Sequence, residues 1–213
     1  MNPGAFVSGW AGYAPLFPRL SRVLDFIVPF VDADEPELAR RLGAGGRVLV
    51  AWSTGAHMVL RLRAELFPRF EKVVLVAPFV AFCDYVPREP VLTMRQAVAA
   101  QGPGRTVRAF HRSCGLRGEL PEAPGNHGPA LARGLDYLLT SRALLAAGED
   151  GARVRVVHGA GDRVLPLDAS AHVAGLLSGS WRSLVDAGHH VPEDILLGIL
   201  HEETGCGAFQ PRG

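Results

Sequence analysis

Lysine is almost absent from this 213-residue chain: Lys72 is the only one among 22 basic side chains, and the rest are arginine. Set against 21 acidic residues, this leaves a formal charge of +1. That excludes the overall basic field of a non-specific nucleic-acid binder and the acidic field of a cation-binding surface. So uniform a preference for arginine is what a biased base composition produces, and arginine content by itself assigns no function. Cysteine is scarce too. Cys83, Cys114 and Cys206 are scattered, odd in number and without a C-x-x-C pair, which argues against a zinc site or a disulfide framework. No apolar run approaches the ~18 residues that span a bilayer. The opening Met1-Asn2-Pro3-Gly4 lacks the charged and apolar regions of a signal peptide, so a soluble, cytoplasmic protein is expected. There is no internal repeat, and no G-x-G-x-x-G or P-loop pattern, so no dinucleotide or phosphate cofactor is expected.

What is present is an ordinary globular balance, 48% hydrophobic and 20% charged, with enough apolar mass for a core. At roughly 150 residues per domain the length suits one domain with room for an insertion. Short apolar, β-rich runs at 5–7, 24–31, 47–52, 73–77, 154–158 and 183–186 have the continuous character of strands covered on both faces. Helical patterns lie between them at 16–23, 36–42, 57–66, 169–177 and 193–203. In the third of these Met58, Leu62 and Leu66 fall four apart on one face. Strand alternating with helix implies βαβ units, hence an α/β fold with a mostly parallel sheet and helices on both faces. Residues 83–150 break the rhythm. They are rich in Pro, Gly and Arg, with helical patterns at 91–101, 105–114 and 130–145 and no evident strand. The expected organisation is a core of residues 1–82 and 151–213 carrying a helical lid insertion, 83–150.

Three segments carry chemistry. In Ala51-Trp52-Ser53-Thr54-Gly55-Ala56-His57 a strand turns tightly into a helix with Ser53 at the turn, the arrangement of a nucleophile elbow. The plain alternative is an ordinary Ser-Thr-Gly turn. In His158-Gly159-Ala160-Gly161-Asp162 a carboxylate follows a strand, where it can reach the crevice at the carboxyl end of the sheet and fix a histidine tautomer. Asp168 reads better as a helix cap, and His158, inside the strand, as core. In Asp186-Ala187-Gly188-His189-His190-Val191-Pro192 a histidine in a strand-to-helix loop could act as general base. His190 is preferred over His189. A metal reading of His189, His190 and Glu193 is poor, because Pro192 interrupts the spacing and no third ligand is evident, so no metal is expected. An oxyanion hole needs two backbone amides. Thr54, after the nucleophile, and Trp10, between Gly9 and Gly12, are the candidates, Trp10 having packing as its alternative role. The order Ser, Asp, His is that of α/β-hydrolases.

Taken together, Gly9-Trp10, Ala51-Trp52-Ser53-Thr54-Gly55, Asp162 with Val164 and Pro166, and His190-Val191-Pro192 resemble the pimeloyl-acyl-carrier-protein methyl ester esterases of biotin synthesis, in the α/β-hydrolase superfamily. Arg105-Thr106-Val107-Arg108-Ala109-Phe110 and Gly134-Leu135-Asp136-Tyr137-Leu138-Leu139-Thr140 are similar to helical segments of that family's lid. The likeness runs from about residue 6 to about residue 192. Ala51 departs from the family's usual glycine, and the superfamily's first strands are missing or abbreviated. The resemblance implies a serine carboxylesterase that cleaves the methyl ester of pimeloyl-acyl-carrier protein to the free acid and methanol. Ser53, Asp162 and His190 would then be catalytic, with Trp10 and Thr54 at the oxyanion.

Arg88, Arg95, Arg105, Arg108, Arg112 and Arg117 fall in a stretch whose only acid is Glu89. Arg105 and Arg108 are therefore candidates for binding an acidic acyl-carrier protein, a solvated arginine face being the alternative. No nucleic-acid or membrane partner is expected, and a monomer is the default. Two other functions compete: a generalist esterase, thioesterase or C–C hydrolase on the same scaffold, and a non-catalytic relative that only binds a ligand.

Overall fold

Alternation of strand and helix produces a parallel sheet wrapped on both faces. The computed structural model describes residues 2–205 and 207–209; Met1 and Cys206 lie outside the described residues. In chain order the strands are β1 (Gly4–Val7), β2 (Asp25–Ile27), β3 (Gly46–Trp52), β4 (Phe70–Val76), β5 (Glu149–Asp150), β6 (Val154–Gly159), β7 (Leu177–Ser178) and β8 (Trp181–Val185). The helices are α1 (Leu20–Val23), α2 (Glu35–Leu42), α3 (Thr54–Arg61), α4 (Arg63–Leu66), α5 (Arg88–Gln101), α6 (Pro103–Ser113), α7 (Gly128–Thr140), α8 (Leu167–Leu176) and α9 (Glu193–Thr204). The main sheet has six strands in the order β2-β1-β3-β4-β6-β8, with every neighbouring pair parallel.

The inner stretches of the central strands are apolar because successive side chains enter two different cores. Val7, Leu49, Ala51, Leu75 and Val156 pack with Leu38 of α2, Met58 of α3 and Val173 of α8. Phe6, Val48, Val50, Val74 and Val157 pack with Leu20 of α1 and Leu196 and Leu200 of α9. A third core lies beyond the carboxyl end of the sheet. There Val91 and Val98 of α5, Val107 of α6 and Leu131 and Leu135 of α7 meet Trp10, Ala77 and Phe79. The helices of the 83–150 stretch thus rest on the loops that follow β1 and β4.

Local signals explain most boundaries. At α2 the Asp34 side chain accepts the Glu37 amide, acids occupy the first turn and Arg40 and Arg41 the last. The expected strand 24–31 stops at Ile27, since Asp32 Oδ2 takes the Val28 amide at 2.8 Å and Phe30 adopts a φ of 64°. The expected helix 16–23 is a 3₁₀ turn (Ala14–Leu16) followed by α1, with Pro18 between them. The expected helix 130–145 ends at Thr140, where the chain turns away so that the Ala143 amide donates to Val80 O at 2.7 Å. The 83–150 stretch is not strand-free: its Glu149–Asp150 pairs in parallel with Leu177–Ser178. Asp168 sits in the first turn of α8 without capping it, the cap position being Pro166.

Candidate active site

The strand order places the loops after β3, β6 and β8 side by side at the carboxyl end of the sheet, where open α/β sheets bind ligands. Ser53 stands between β3 and α3, at the N-cap of the helix, with φ 54° and ψ −115°, a conformation that L-residues avoid. It is held there by two backbone bonds: the Ser53 amide donates to Val76 O at 2.8 Å, and the His57 amide donates to Ser53 O at 2.9 Å. The tight turn needs Gly55, because a Cβ at that position would overlap the carbonyl oxygens of Val7 and Ser8. Ala51, in place of a glycine, is buried in the core without disturbing the turn.

The loops after β6 and β8 are bonded to each other, the Gly161 amide donating to Ala187 O at 2.9 Å. Asp162 Oδ1 accepts the amides of Val164 at 2.7 Å and Leu165 at 2.9 Å. Asp162 Oδ2 accepts His189 Nδ1–H at 2.7 Å, and the other ring nitrogen, Nε2, accepts Ser53 Oγ–H at 2.9 Å. The His189 and Asp162 side chains are fully buried and Ser53 is 5% exposed. Burial acts to raise the Asp162 pKa. Hydrogen bonds from His158 and His189, the interaction with the His189 charge and the Leu165 amide outweigh it, and the carboxyl lies well below the usual carboxylate range.

The histidine brought to Ser53 is therefore His189, which corrects the expectation of His190. Two bonds set the phase of the doublet. Trp52 Nε1–H donates to His189 O at 2.9 Å, and the His190 amide donates to Cys114 O at 3.0 Å. They aim the His189 ring at Ser53 and the next ring away from it, against Phe17 with 5.0 Å between centroids. There burial lowers the His190 pKa from 6.5 to about 4, against a hydrogen bond with the Leu16 backbone, and Nε2 has no partner among the described residues.

Trp10 and Thr54 line the same cavity as Ser53. The Trp10 indole is committed to structure: it is 2% exposed, its Nε1–H donates to Leu131 O at 2.8 Å, and its ring meets Phe110 edge-on. The indole N–H is therefore not free for a substrate. The cavity, about 260 Å³, is walled by apolar residues including Phe82, Val91, Met94, Leu135 and Leu138. Arg105 and Arg108 are not among its lining residues. They lie with Arg112 on the side of α6 opposite buried Val107 and His111, and Arg108 pairs with Glu122 at 3.1 Å. Among the described residues no group of three or more His, Cys, Asp or Glu is placed to hold a metal, Cys83 and Cys114 are free thiols, and no helix is long and apolar enough to cross a membrane.

Three side chains at the site were not marked by their sequence context. His158, read as core, is buried in β6, but its Nε2 lies 3.1 Å from both Asp162 Oδ2 and Leu165 O, so it helps to hold the carboxylate. The signal was available, since a histidine four residues before the acid can reach back across the turn. His111 Nε2–H donates to the carbonyl of Ala11, whose φ is 53° in the loop after β1. Arg163 reaches the cavity. For these last two no local pattern exists.

No protein-family profile and no curated protein matches the chain. Solved structures do. An esterase from Exiguobacterium antarcticum is 15% identical, with a TM-score of 0.66 over 95% of this chain and 91% of that one. An α/β-hydrolase enzyme from a deep-sea metagenome library is 10% identical, with a TM-score of 0.60 over 96% and 88%. RedJ, a thioesterase from the prodiginine biosynthetic pathway in Streptomyces coelicolor, is 14% identical, with a TM-score of 0.56 over 94% and 85%. At such identities the likeness speaks for architecture: the chain has the α/β-hydrolase fold.

Proposed function

We propose that the protein is a serine hydrolase of carboxylic esters, with Ser53 as nucleophile, His189 as general base and acid, and Asp162 as the group that orients and charge-balances His189. The observation that carries this reading is the unbroken line from Ser53 Oγ through His189 to Asp162, at 2.9 and 2.7 Å. A binding protein has no need of a strained serine held against a buried imidazole–carboxylate pair. Ser53 Oγ attacks the ester carbonyl carbon as its proton passes to His189 Nε2. The backbone amides of Trp10 and Thr54 receive the oxyanion, a contribution worth ~10²–10³ in rate per donor. Collapse of the tetrahedral intermediate expels the alcohol, protonated by His189. Water, deprotonated in turn by His189, then releases the acid and restores Ser53.

Within that class the proposed substrate is the methyl ester of pimeloyl-acyl-carrier protein, giving the carrier-bound free acid and methanol. Its support is the resemblance of the motifs around Trp10, Ser53 and Asp162, together with the arginine stripe on α6, in which Arg105 and Arg112 are exposed and Arg108 is half-buried beside Glu122, which suits an acidic carrier. A thioesterase is the second reading, favoured by the fold's likeness to RedJ, since the same site would attack a thioester carbonyl. The test compares hydrolysis of p-nitrophenyl butyrate, methyl-pimeloyl carrier protein and an acyl-carrier thioester by the wild type and Ser53→Ala. Strong preference for the carrier-bound methyl ester, lost in Ser53→Ala, is the expected result. Turnover of the small ester alone would keep the hydrolase and discard the substrate, whereas no turnover of any would discard both.

A further inference from the structure

The cavity around Ser53 is mostly apolar, with hydroxyls only from Ser53, Thr54 and Ser113. Its lining residues include a single charged side chain, Arg163. That guanidinium is exposed and makes no hydrogen bond or ion pair among the described residues. Its neighbour Asp162 cannot neutralise it. One Asp162 oxygen is occupied by the Val164 and Leu165 amides, the other by His189 and His158. No aspartate or glutamate lines the cavity. Most other arginines of the chain are committed to partners, among them Arg19 to Asp194, Arg61 to Glu35, Arg142 to Asp84 and Arg155 to Glu202. An unneutralised cation beside an otherwise uncharged cavity is a recognition element with its counter-ion left to the ligand.

We propose that the substrate is an ester with two unlike arms: one uncharged and apolar, filling the cavity, and one bearing a carboxylate or phosphate that lies against Arg163. At about 30 Å³ for each water-sized group, the volume of about 260 Å³ accommodates an apolar arm of about eight or nine heavy atoms. A substrate charged on both arms would bury one charge against Phe82, Met94 and Leu138, which the cavity cannot compensate. Arg163 is thus a specificity-determining residue rather than a catalytic one. This inference rests on the reading of Ser53 as an ester hydrolase and deepens that reading alone; the carrier-bound methyl ester, whose alcohol arm is one uncharged methyl, is not of this two-armed class.

The experiment uses two matched pairs of esters, each pair differing only in charge. 4-Carboxyphenyl butyrate against 4-carbamoylphenyl butyrate puts the anion on the alcohol. Monomethyl adipate against methyl 5-carbamoylpentanoate puts it on the acyl arm. One pair should show an anion preference in kcat/KM of about tenfold, the equivalent of about 1.4 kcal/mol. The preference should fall to near unity in Arg163→Gln, survive in Arg163→Lys, invert in Arg163→Glu and shrink as salt rises. Absence of a preference in both pairs, or loss of both members of each pair in equal proportion in Arg163→Gln, overturns the proposal while leaving the hydrolase reading intact. Failure of the wild type to hydrolyse all four esters and p-nitrophenyl butyrate as well would instead remove the hydrolase reading and this inference with it.

Discussion

His189 and His190 are consecutive in the chain and serve opposite sides of the fold: His189 Nε2 lies 2.9 Å from Ser53 Oγ, while the His190 ring packs 5.0 Å from Phe17 in the core beneath α9. Substitution separates them cleanly. His189→Ala removes both the base and the partner of Asp162, so kcat on p-nitrophenyl butyrate should fall ~10³-fold or more. His190→Phe keeps an aromatic ring against Phe17 and deletes both the unpartnered Nε2 and the bond to the Leu16 backbone, losses that fall on stability rather than on the reaction, so kcat should stay within a few-fold of wild type. Equal losses in the two variants would reverse the assignment.

The doublet also marks where the sequence stops being informative. The runs that became β3, β4 and β6 were legible because their inner stretches are buried on both faces, so residues 48–52, 73–76 and 156–157 read as apolar runs, and their helix partners show their own periodicity. Ser53 and Asp162 were legible because each follows such a run, and the histidine loop because it follows β8, a short edge strand with only partial burial. The choice between His189 and His190 was not. A shift of one residue exchanges the two rings, and the shift is set by Trp52 Nε1 on one carbonyl and Cys114 O on one amide, both distant in sequence. The same holds for the end of α7, where Ser141 leaves the helix to meet His57 Nε2 at 2.9 Å. His111 acquires its role only from the Ala11 carbonyl, 100 residues away.

The elbow should tolerate Ala51 but not a second methyl group. A Cβ on Gly55 would penetrate the backbone oxygens of Val7 and Ser8, neither of which can move without disturbing β1 and the loop that carries Trp10. Gly55→Ala should cost about 1–3 kcal/mol of stability, as overpacking does. It should also lower kcat by moving Ser53 off His189. Urea denaturation and ester turnover on the same preparation test this, and unchanged stability would show that the turn relaxes more easily than its geometry implies.

Acid should destabilise the fold through its buried histidines before the Asp162 carboxylate takes up a proton. Burial lowers the pKa of His57, which stacks on Phe79 and bonds to its carbonyl, from 6.5 to about 4. Burial lowers that of His190 from 6.5 to about 4 as well. As pH falls below about 6.5 the unfolded chain takes up both protons, whereas the folded chain takes them up only near 4. Stability is therefore fully present above pH 6.5 and declines down to pH 4, by on the order of 3 kcal/mol per histidine. Below that, the lowered pKa of Asp162 extends the loss further into acid. Urea midpoints measured from pH 7.5 to 4 should fall accordingly, and His190→Phe should flatten the slope. A midpoint independent of pH in this range would contradict the burial of both rings.

The loop after β1 depends on a side chain from α6. His111 Nε2–H holds the carbonyl of Ala11, a non-glycine residue with φ 53°, directly after Trp10. If the Trp10 amide serves the oxyanion as proposed, loss of that bond lets the strained turn relax and carries the amide out of position. His111→Ala should lower kcat by about tenfold, less than the ~10²–10³ for losing an oxyanion donor outright. KM should be nearly unchanged, because the ground-state ester makes little use of that amide. A rise in KM with normal kcat would make His111 a wall of the cavity instead.

If an acidic carrier docks on α6, charge reversal there should separate carrier-bound from small substrates. Arg105 and Arg112 are exposed, and Arg108 is engaged only by the exposed carboxylate of Glu122, a surface pair worth ~1 kcal/mol or less. Arg105→Glu with Arg108→Glu should therefore leave the fold intact and p-nitrophenyl butyrate turnover unchanged. For methyl-pimeloyl carrier protein kcat/KM should drop roughly tenfold or more, through a slower association whose dependence on salt is also reduced. Because α6 carries both these arginines and the tether of His111 to the Ala11 carbonyl, the small-ester control is essential: a parallel loss on both substrates would locate the effect in the oxyanion loop and remove the carrier surface from α6.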